Sequence, residues 1–111
     1  MAADLRRRGL AARWVADERA PEAVSASDLV LIGADTVETD GTVVHKVGTR
    51  RLAELARRSR RPVVVVAGRS KFSPRRVLRL PPRFDRTPAR LVSAYWTDGP
   101  ARAKRSIRPT R

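Results

Sequence analysis

The sequence predicts an α/β fold of doubly wound type, with a mostly parallel sheet and flanking helices. Residues 28–35 (DLVLIGAD) and 63–68 (VVVVAG) are apolar at nearly every position. Such runs are typical of parallel strands that helices cover on both faces. Helical segments alternate with these strands along the chain, as right-handed crossovers require. At 111 residues the chain has room for one domain at most.

The first third of the chain predicts a helix, a strand and a second helix. Residues 2–8 form the first helix, which Gly9 ends. Residues 11–17 (AARWVAD) follow as a strand. Pro21 is suited to the first turn of the next helix, and Glu22 lies near the positive end of its dipole.

The middle of the chain predicts a turn, a helix and a strand. Asp40 and Gly41 form a turn signal within VETDGTVV. Residues 46–61 have apolar side chains at helical spacing, with arginines crowding the last turns, where cations favour the helix dipole. Pro62 ends this helix before the strand at 63–68.

The last third combines an irregular segment, a strand and a tail. Residues 69–86 contain three prolines and are predicted to be irregular. A Thr-Pro pair at 87–88 is a helix-start signal, and residues 91–97 predict the last strand. We therefore expect a domain over residues 1–99 and a basic, disordered tail over residues 100–111.

The composition excludes several kinds of site. The chain has no cysteine and one histidine, which excludes disulfides, a thiolate zinc site, a cysteine nucleophile and a multi-histidine metal site. It also lacks a Walker-type loop and a G-x-G-x-x-G pattern. We expect neither a metal nor a cofactor. No apolar run has the length of a signal peptide or a membrane span, so we expect no membrane association and a cytoplasmic location.

The net charge of +14 comes mainly from 22 arginines against 3 lysines. They are spread along the whole chain without a recognition motif, and aromatic residues make up only 5% of it. The chain therefore has few aromatic side chains on which nucleic-acid bases could stack. An arginine-rich solvated surface is the favoured interpretation, and non-specific nucleic-acid binding stays open.

A candidate phosphosugar site lies between the first apolar strand and the next helix. Asp35 ends the strand, and ligands of open parallel sheets bind beyond the carboxyl ends of the strands. There Asp35 can bind sugar hydroxyls or move a proton, with His45 nearby. Lys46 adds a charge and Thr49 a hydroxyl, while Gly48 lets a phosphate approach the helix start. Taken singly, each residue also has an ordinary structural explanation as a cap, a turn or a solvated loop residue.

The stretch VLIGADTVETDGTVVHKVGT resembles the signature of one protein family. That family joins the alpha, beta and delta subunits of translation initiation factor 2B with methylthioribose-1-phosphate isomerase and ribose-1,5-bisphosphate isomerase. The shared pattern is a strand ending in Gly-Ala-Asp, a glycine-containing turn, and Asn-Lys-Ile/Val-Gly-Thr before a helix. RPVVVVAGRSKF and FDRTPARLVSAYWTDG are similar to later segments, so the resemblance covers residues 2–99 in order.

The resemblance implies a Rossmann-like fold of the sugar-phosphate-isomerase/CoA-transferase type, of which this chain is a part. It implies that Asp35 stands where the isomerases keep their catalytic acid/base, and that Lys46 stands where they hold the substrate. Position 45 is asparagine in the family pattern and histidine here.

The resemblance also implies what the isomerases require besides Asp35. They carry a helical N-terminal domain, a phosphate-binding segment and a catalytic cysteine ahead of the aligned region. We therefore expect a factor 2B-related domain that is non-catalytic alone, binds a sugar phosphate or nucleotide, and acts through protein contacts. The alternative is part of an aldose-1-phosphate to ketose isomerase that another chain completes. A homodimer or a partner chain is expected in either case, because uncovered apolar surface needs a cover.

Overall fold

The computed structural model describes residues 2–98, and the predicted tail at 100–111 lies outside the described residues. Within residues 2–98 there are three α-helices, namely α1 (Ala2–Arg7), α2 (Ala20–Ser25) and α3 (Thr49–Arg58). The strands of this part are β1 (Val30–Ile32), β2 (Thr36–Val37), β3 (Val43–Lys46), β4 (Val63–Val66), β5 (Phe84–Thr87) and β6 (Ala94–Trp96). Single 3₁₀ turns occur at Asp17–Arg19, Arg69–Lys71 and Ala89–Leu91. None of the described helices is both long and apolar enough to cross a bilayer.

A parallel sheet in the order β1-β4-β6 confirms the predicted fold class. Val30 lies opposite Val63, and Val65 lies opposite Tyr95, so the three strands run in one direction. The β-branched residues of β1 and β4 favour extended backbone and pack well on a pleated surface. As a result, the carboxyl ends of β1, β4 and β6 meet at one edge of the sheet.

A second, antiparallel sheet in the order β2-β3-β5 was not predicted. The predicted turn at Asp40–Gly41 closes its first hairpin: Asp40 Oδ1 accepts from the Thr42 amide at 2.9 Å, and Glu38 N donates to Thr42 O at 2.8 Å. Gly41 has a φ of +91°, which side chains other than glycine adopt only with strain. The hairpin therefore forms because its turn chemistry is correct.

Helix α3 packs between the two sheets. Its buried side is formed by Thr49, Ala53, Leu55 and Ala56, and the two alanines are 0% exposed. Their small side chains allow the backbone of α3 to approach its neighbours closely. One apolar core consequently includes Val37 and Val43 of the antiparallel sheet as well as Val63 and Val65 of the parallel sheet.

A buried carboxylate fixes the segment between β4 and β5. Glu38 is 3% exposed and accepts a 2.6 Å hydrogen bond from the amide of Val77. Arg86 lies 3.9 Å from the same carboxylate oxygen and also donates to the carbonyl of Val77. Burying a charge is costly unless it is paired and hydrogen-bonded, so this contact holds the irregular segment against β2 and β5.

Three predicted elements differ from the structure. Residues 11–17 form no strand, because nothing in the described chain pairs with them and Trp14 is 78% exposed. The helix predicted at 46–61 begins only at Thr49, since β3 extends to Lys46. The segment predicted to be irregular contains β5 at its end, because pairing with β3 supplies hydrogen bonds that local sequence does not reveal.

One face of the parallel sheet is only partly covered within residues 2–98, although the sequence predicted helices on both faces: Val64 is 5% exposed there, but its neighbours on that face are not buried. Side chains alternate along each strand, so Leu31, Val66 and Trp96 point to the face opposite the core. They are 57%, 47% and 55% exposed. We call this surface the bare face; it carries three large apolar side chains that parallel sheets normally bury.

Tyr95 connects the parallel sheet to the hairpin turn of the antiparallel sheet. Its hydroxyl donates to Gly41 O at 2.5 Å. Burial, with a smaller contribution from the nearby charge of Asp40, raises the pKa of Tyr95 to about 12. The phenol therefore stays protonated and able to donate at neutral pH.

Gly41→Ala tests this connection. A Cβ at position 41 would lie 2.6 Å from the Tyr95 hydroxyl and would also require a left-handed backbone. We expect the free energy of unfolding to fall by about 2–4 kcal/mol, as strain and lost packing add. Urea denaturation followed by circular dichroism measures it.

Gly9→Ala is the matched control, because Gly9 has a φ of +86° and a Cβ there meets nothing within 4 Å. It carries the backbone strain without the clash, so its cost should be smaller by about 1 kcal/mol or more. Equal losses in the two variants would show that the Tyr95 contact contributes nothing.

Candidate functional site at the carboxyl edge of the parallel sheet

Asp35 and His45 are in direct contact beyond the end of β1. The Nδ1 atom of His45 lies 2.9 Å from Oδ2 of Asp35. The Asp35 amide donates to Val44 O at 2.9 Å, which holds the carboxylate beside β3. The side chains of His45 and Asp35 are 32% and 46% exposed, so a ligand can reach both. The sequence predicted both residues for one site, and the structure brings these two together.

Asp85 completes a row of three side chains across the antiparallel sheet. His45 is the cross-strand partner of Asp85, so the two side chains share a face. Oδ2 of Asp85 accepts a 3.2 Å hydrogen bond from the amide of Gly48, the N-cap residue of α3. Gly48 has a φ of +107°, which turns the chain from β3 into α3. We call Asp35, His45 and Asp85 the acid–imidazole row.

Lys46 and Thr49 lie differently from what the sequence suggested. Lys46 is exposed and is paired with Phe84, so strand alternation directs its side chain away from the face of His45. Within residues 2–98 it forms no side-chain hydrogen bond or ion pair with Asp35. Thr49 is 7% exposed, and its hydroxyl donates to Lys46 O at 2.7 Å. Gly48 is exposed, but its amide already donates a hydrogen bond to Oδ2 of Asp85.

The acid–imidazole row can bind and orient polar groups. An imidazole has one donor and one acceptor nitrogen when neutral, and each carboxylate offers several acceptor positions. The other ring nitrogen of His45, Nε2, lies near Gly33, where an added Cβ would be 3.5 Å away. No cluster of three or more His, Asp or Glu side chains within residues 2–98 is arranged to hold a metal ion.

The contribution of Asp85 was missed by sequence reasoning. Its segment FDRT follows two prolines and was predicted to be irregular. The local sequence carries no strand signal, since one apolar residue, Phe84, is followed by three polar ones. Arg69 and Lys71, two exposed cations directly after β4, were likewise not singled out.

Comparison with known sequences identifies the family of the chain. The sequence model of the initiation factor 2 subunit family matches residues 1–80. The chain belongs to the initiation factor 2 subunit family. The resemblance stated from the GAD…HKVGT stretch is thereby confirmed, and the relatives named below include both kinds of protein that it predicted.

Two curated relatives are isomerases. The chain is 34% identical over 71 residues to ribose 1,5-bisphosphate isomerase of Archaeoglobus fulgidus, covering 64% of this chain and 23% of that protein. It is 33% identical over 100 residues to methylthioribose-1-phosphate isomerase of Pelotomaculum thermopropionicum, covering 65% and 28%. The chain thus spans only about a quarter of the length of these relatives.

Two solved structures of Pyrococcus horikoshii OT3 have similar folds. Translation initiation factor eIF-2B matches with a TM-score of 0.73 at 27% identity, over 85% of this chain and 40% of that one. The 5-methylthioribose 1-phosphate isomerase matches with a TM-score of 0.72 at 26% identity, over 85% and 35%. A factor and an enzyme are therefore similar to this chain to almost the same degree.

The hydrogen bond between Asp35 and His45 predicts the tautomer of the imidazole. A carboxylate can only accept, so neutral His45 should carry its proton on Nδ1. Long-range ¹H–¹⁵N correlation spectra report the tautomer, and the signal is unambiguous because the chain has one histidine.

Asp35→Ala should abolish this preference, while Asp28→Ala, at an exposed aspartate before β1, should leave it unchanged. An Nε2-protonated ring in the unmodified protein would contradict the assigned contact.

Proposed function

We propose that this is an initiation factor 2B-related domain that binds a sugar phosphate or nucleotide at the acid–imidazole row and acts through protein contacts. The observation that supports it most is the contact between Asp35 and His45 at the carboxyl edge of the parallel sheet. Ligands of open α/β sheets bind at this edge. The family relationship agrees with it, since two relatives carry sugar phosphates in their names.

The proposed binding role follows from the chemistry of the two side chains. A sugar hydroxyl can donate to the carboxylate of Asp35, and a neighbouring hydroxyl can donate to Nε2 of the neutral imidazole of His45. The carboxylate keeps one oxygen free, because the contact with His45 uses only Oδ2. Two adjacent hydroxyls of a ribose ring match such a pair, whereas a purely apolar ligand does not.

Isomerisation is the alternative function, and the same contact is the observation that favours it. A carboxylate beside an imidazole can move a proton between adjacent carbons of an aldose. The chain contains no cysteine, so a cysteine-dependent version of this reaction would need that group from another chain. For this reason we place binding ahead of catalysis.

The proposed protein contacts involve the bare face. Val66 is paired with Trp96, and Leu31 is paired with Val64, which lies two residues before Val66 on the same face of β4. The exposed side chains of Leu31, Val66 and Trp96 therefore share one face of the sheet. Apolar area removed from water contributes about 25 cal/mol per Å². We propose that a second copy of the chain covers this face, which makes the domain a homodimer in the absence of other partners. A cytoplasmic location stays a prediction from the sequence.

Ligand binding is tested by titrating the ¹⁵N-labelled protein with ribose 5-phosphate and with adenosine monophosphate. At least one should shift the signals of His45 and the Asp35 amide and should raise the melting temperature. Asp35→Ala should weaken binding about tenfold or more, since a hydrogen bond to a charged group contributes roughly 1.5–3 kcal/mol.

Asp28→Ala is the control, because it removes the same charge at an exposed position ahead of β1. Absence of any shift at His45 with both ligands would remove the binding proposal. Conversion of ribose 1,5-bisphosphate by the protein, lost in Asp35→Asn, would instead favour the isomerase alternative.

Association through the bare face is tested by sedimentation equilibrium. The net charge of +14 makes two copies repel each other, and salt screens this repulsion without weakening apolar contacts. We therefore expect the dimer fraction to rise between low and moderate salt. Leu31→Lys should lower the association constant about tenfold or more, as a large apolar side chain contributes roughly 1.5–3 kcal/mol when buried.

Leu78→Lys is the matched control, since Leu78 is 92% exposed but lies in the segment between β4 and β5, away from the parallel sheet. A monomer at every salt concentration would contradict the dimer. Equal effects of Leu31→Lys and Leu78→Lys on the association constant would show that the dimer contact does not involve the bare face.

A further inference from the structure

We propose that Asp85 excludes phosphate groups from the start of α3, and that the acid–imidazole row therefore takes the uncharged, hydroxyl-bearing part of a ligand. The first half of this inference concerns only residues of this chain. The second half rests on the proposed function, and it assigns the orientation in which a sugar phosphate enters the site.

The start of α3 has the features that usually attract an anion. Free backbone amides and the positive end of the helix dipole favour negative charge there. Gly48 has no side chain, and a Cβ at its position would meet nothing within 4 Å, so the backbone is accessible. In this chain the anion is already present: the carboxylate of Asp85 accepts from the Gly48 amide at 3.2 Å.

The carboxylate of Asp85 is held in place by the strand that carries it. Asp85 is paired with His45 and its neighbour Phe84 with Lys46, so the register of β5 against β3 fixes its backbone. The amide of Val47 donates to Arg83 O at 2.8 Å, which continues this pairing up to the turn before α3. The register thus places Asp85 at the helix start, and the hydrogen bond from the Gly48 amide orients its carboxylate there.

The two oxygens of Asp85 differ in access. Oδ1 is enclosed and accepts no hydrogen bond from the residues that the structure describes, so only Oδ2, beside the Gly48 amide, can face a ligand. A hydroxyl group can donate to that oxygen, whereas a fully ionised phosphate group has no proton to donate. Asp35, on the other side of His45, adds a second negative charge to the row.

The ligand is thus expected to enter with hydroxyl groups toward α3. A phosphate near Gly48 would lie within a few ångströms of the Asp85 carboxylate, where like charges near a protein surface repel strongly. Hydroxyl groups can donate to Oδ1 of Asp35 and to Oδ2 of Asp85 at the same time as they contact the imidazole. This assignment differs from the expectation drawn from sequence, in which the start of the helix held the phosphate.

The test uses inorganic phosphate as the probe and the amide signals of Gly48 and Thr49 as the readout. In the unmodified protein these signals should not respond to phosphate up to high millimolar concentration. In Asp85→Asn, which keeps the size of the side chain and removes its charge, they should respond with an affinity at least about tenfold higher. Asp40→Asn makes the same change of charge at the hairpin turn and should behave like the unmodified protein.

Phosphate shifts at Gly48 of equal size in the unmodified protein and Asp85→Asn would overturn the exclusion. If Asp85→Asn does not fold, Asp85→Ser replaces it, because it keeps a side-chain oxygen without the charge. Its Gly48 and Thr49 amide signals should respond to phosphate in the same way. Failure of the proposed function has another signature: ribose 5-phosphate would then leave His45 unshifted, whatever phosphate does at Gly48. A spin label on α3 would report, through ³¹P relaxation, how close the phosphorus of bound ribose 5-phosphate lies to Gly48. A phosphorus near Gly48 would overturn the proposed orientation of the ligand.

Discussion

The close packing of α3 against both sheets is the constraint on which the rest of the structure depends. Ala53 and Ala56 are fully buried on the side of the helix that joins the parallel and antiparallel sheets into one core. A larger side chain at either position would push the helix away from at least one sheet. The start of α3 is thereby placed at the ends of β3 and β5, where the acid–imidazole row forms.

The electrostatics of the row follow from this placement. Three ionisable side chains on neighbouring strands would be poorly stabilised in an apolar core, but each has a partner at this edge or contact with solvent. The imidazole of His45 separates the carboxylates of Asp35 and Asp85, and the Gly48 amide faces the second of them. The same positive helix end that could bind a ligand anion stabilises a residue of the fold. A ligand anion and the carboxylate of Asp85 would therefore compete for the same backbone amide at the start of α3.

Local sequence predicted those parts of the molecule in which one segment determines its own structure. The apolar runs at β1 and β4, the Asp40–Gly41 turn and the corner that joins Asp35 to His45 all depend on residues within ten positions of each other. The contact between Gly48 and Asp85 spans 37 positions, and β5 is a strand only because β3 pairs with it. Residues 11–17 illustrate the opposite error: they have a strand-like composition, but in the described chain no strand lies beside them. Pairing partners, rather than propensity, decide such segments.

Under the proposed function, the site is compatible with the similarity to both a factor and an enzyme. A carboxylate at the edge of a parallel sheet can hold a sugar hydroxyl or move a proton, and the geometry needed for the two tasks is nearly the same. What separates them is the second group that faces the ligand. In this chain that group is the imidazole of His45, whose Nδ1 is already engaged with Asp35, which leaves Nε2 as its remaining polar atom. One carboxylate oxygen and one ring nitrogen suffice to recognise a pair of hydroxyls, but moving a proton between two carbons also requires a group that polarises the neighbouring oxygen of the substrate. Under the proposed function, catalysis by this domain would therefore depend on a group that a partner chain brings to this edge of the sheet.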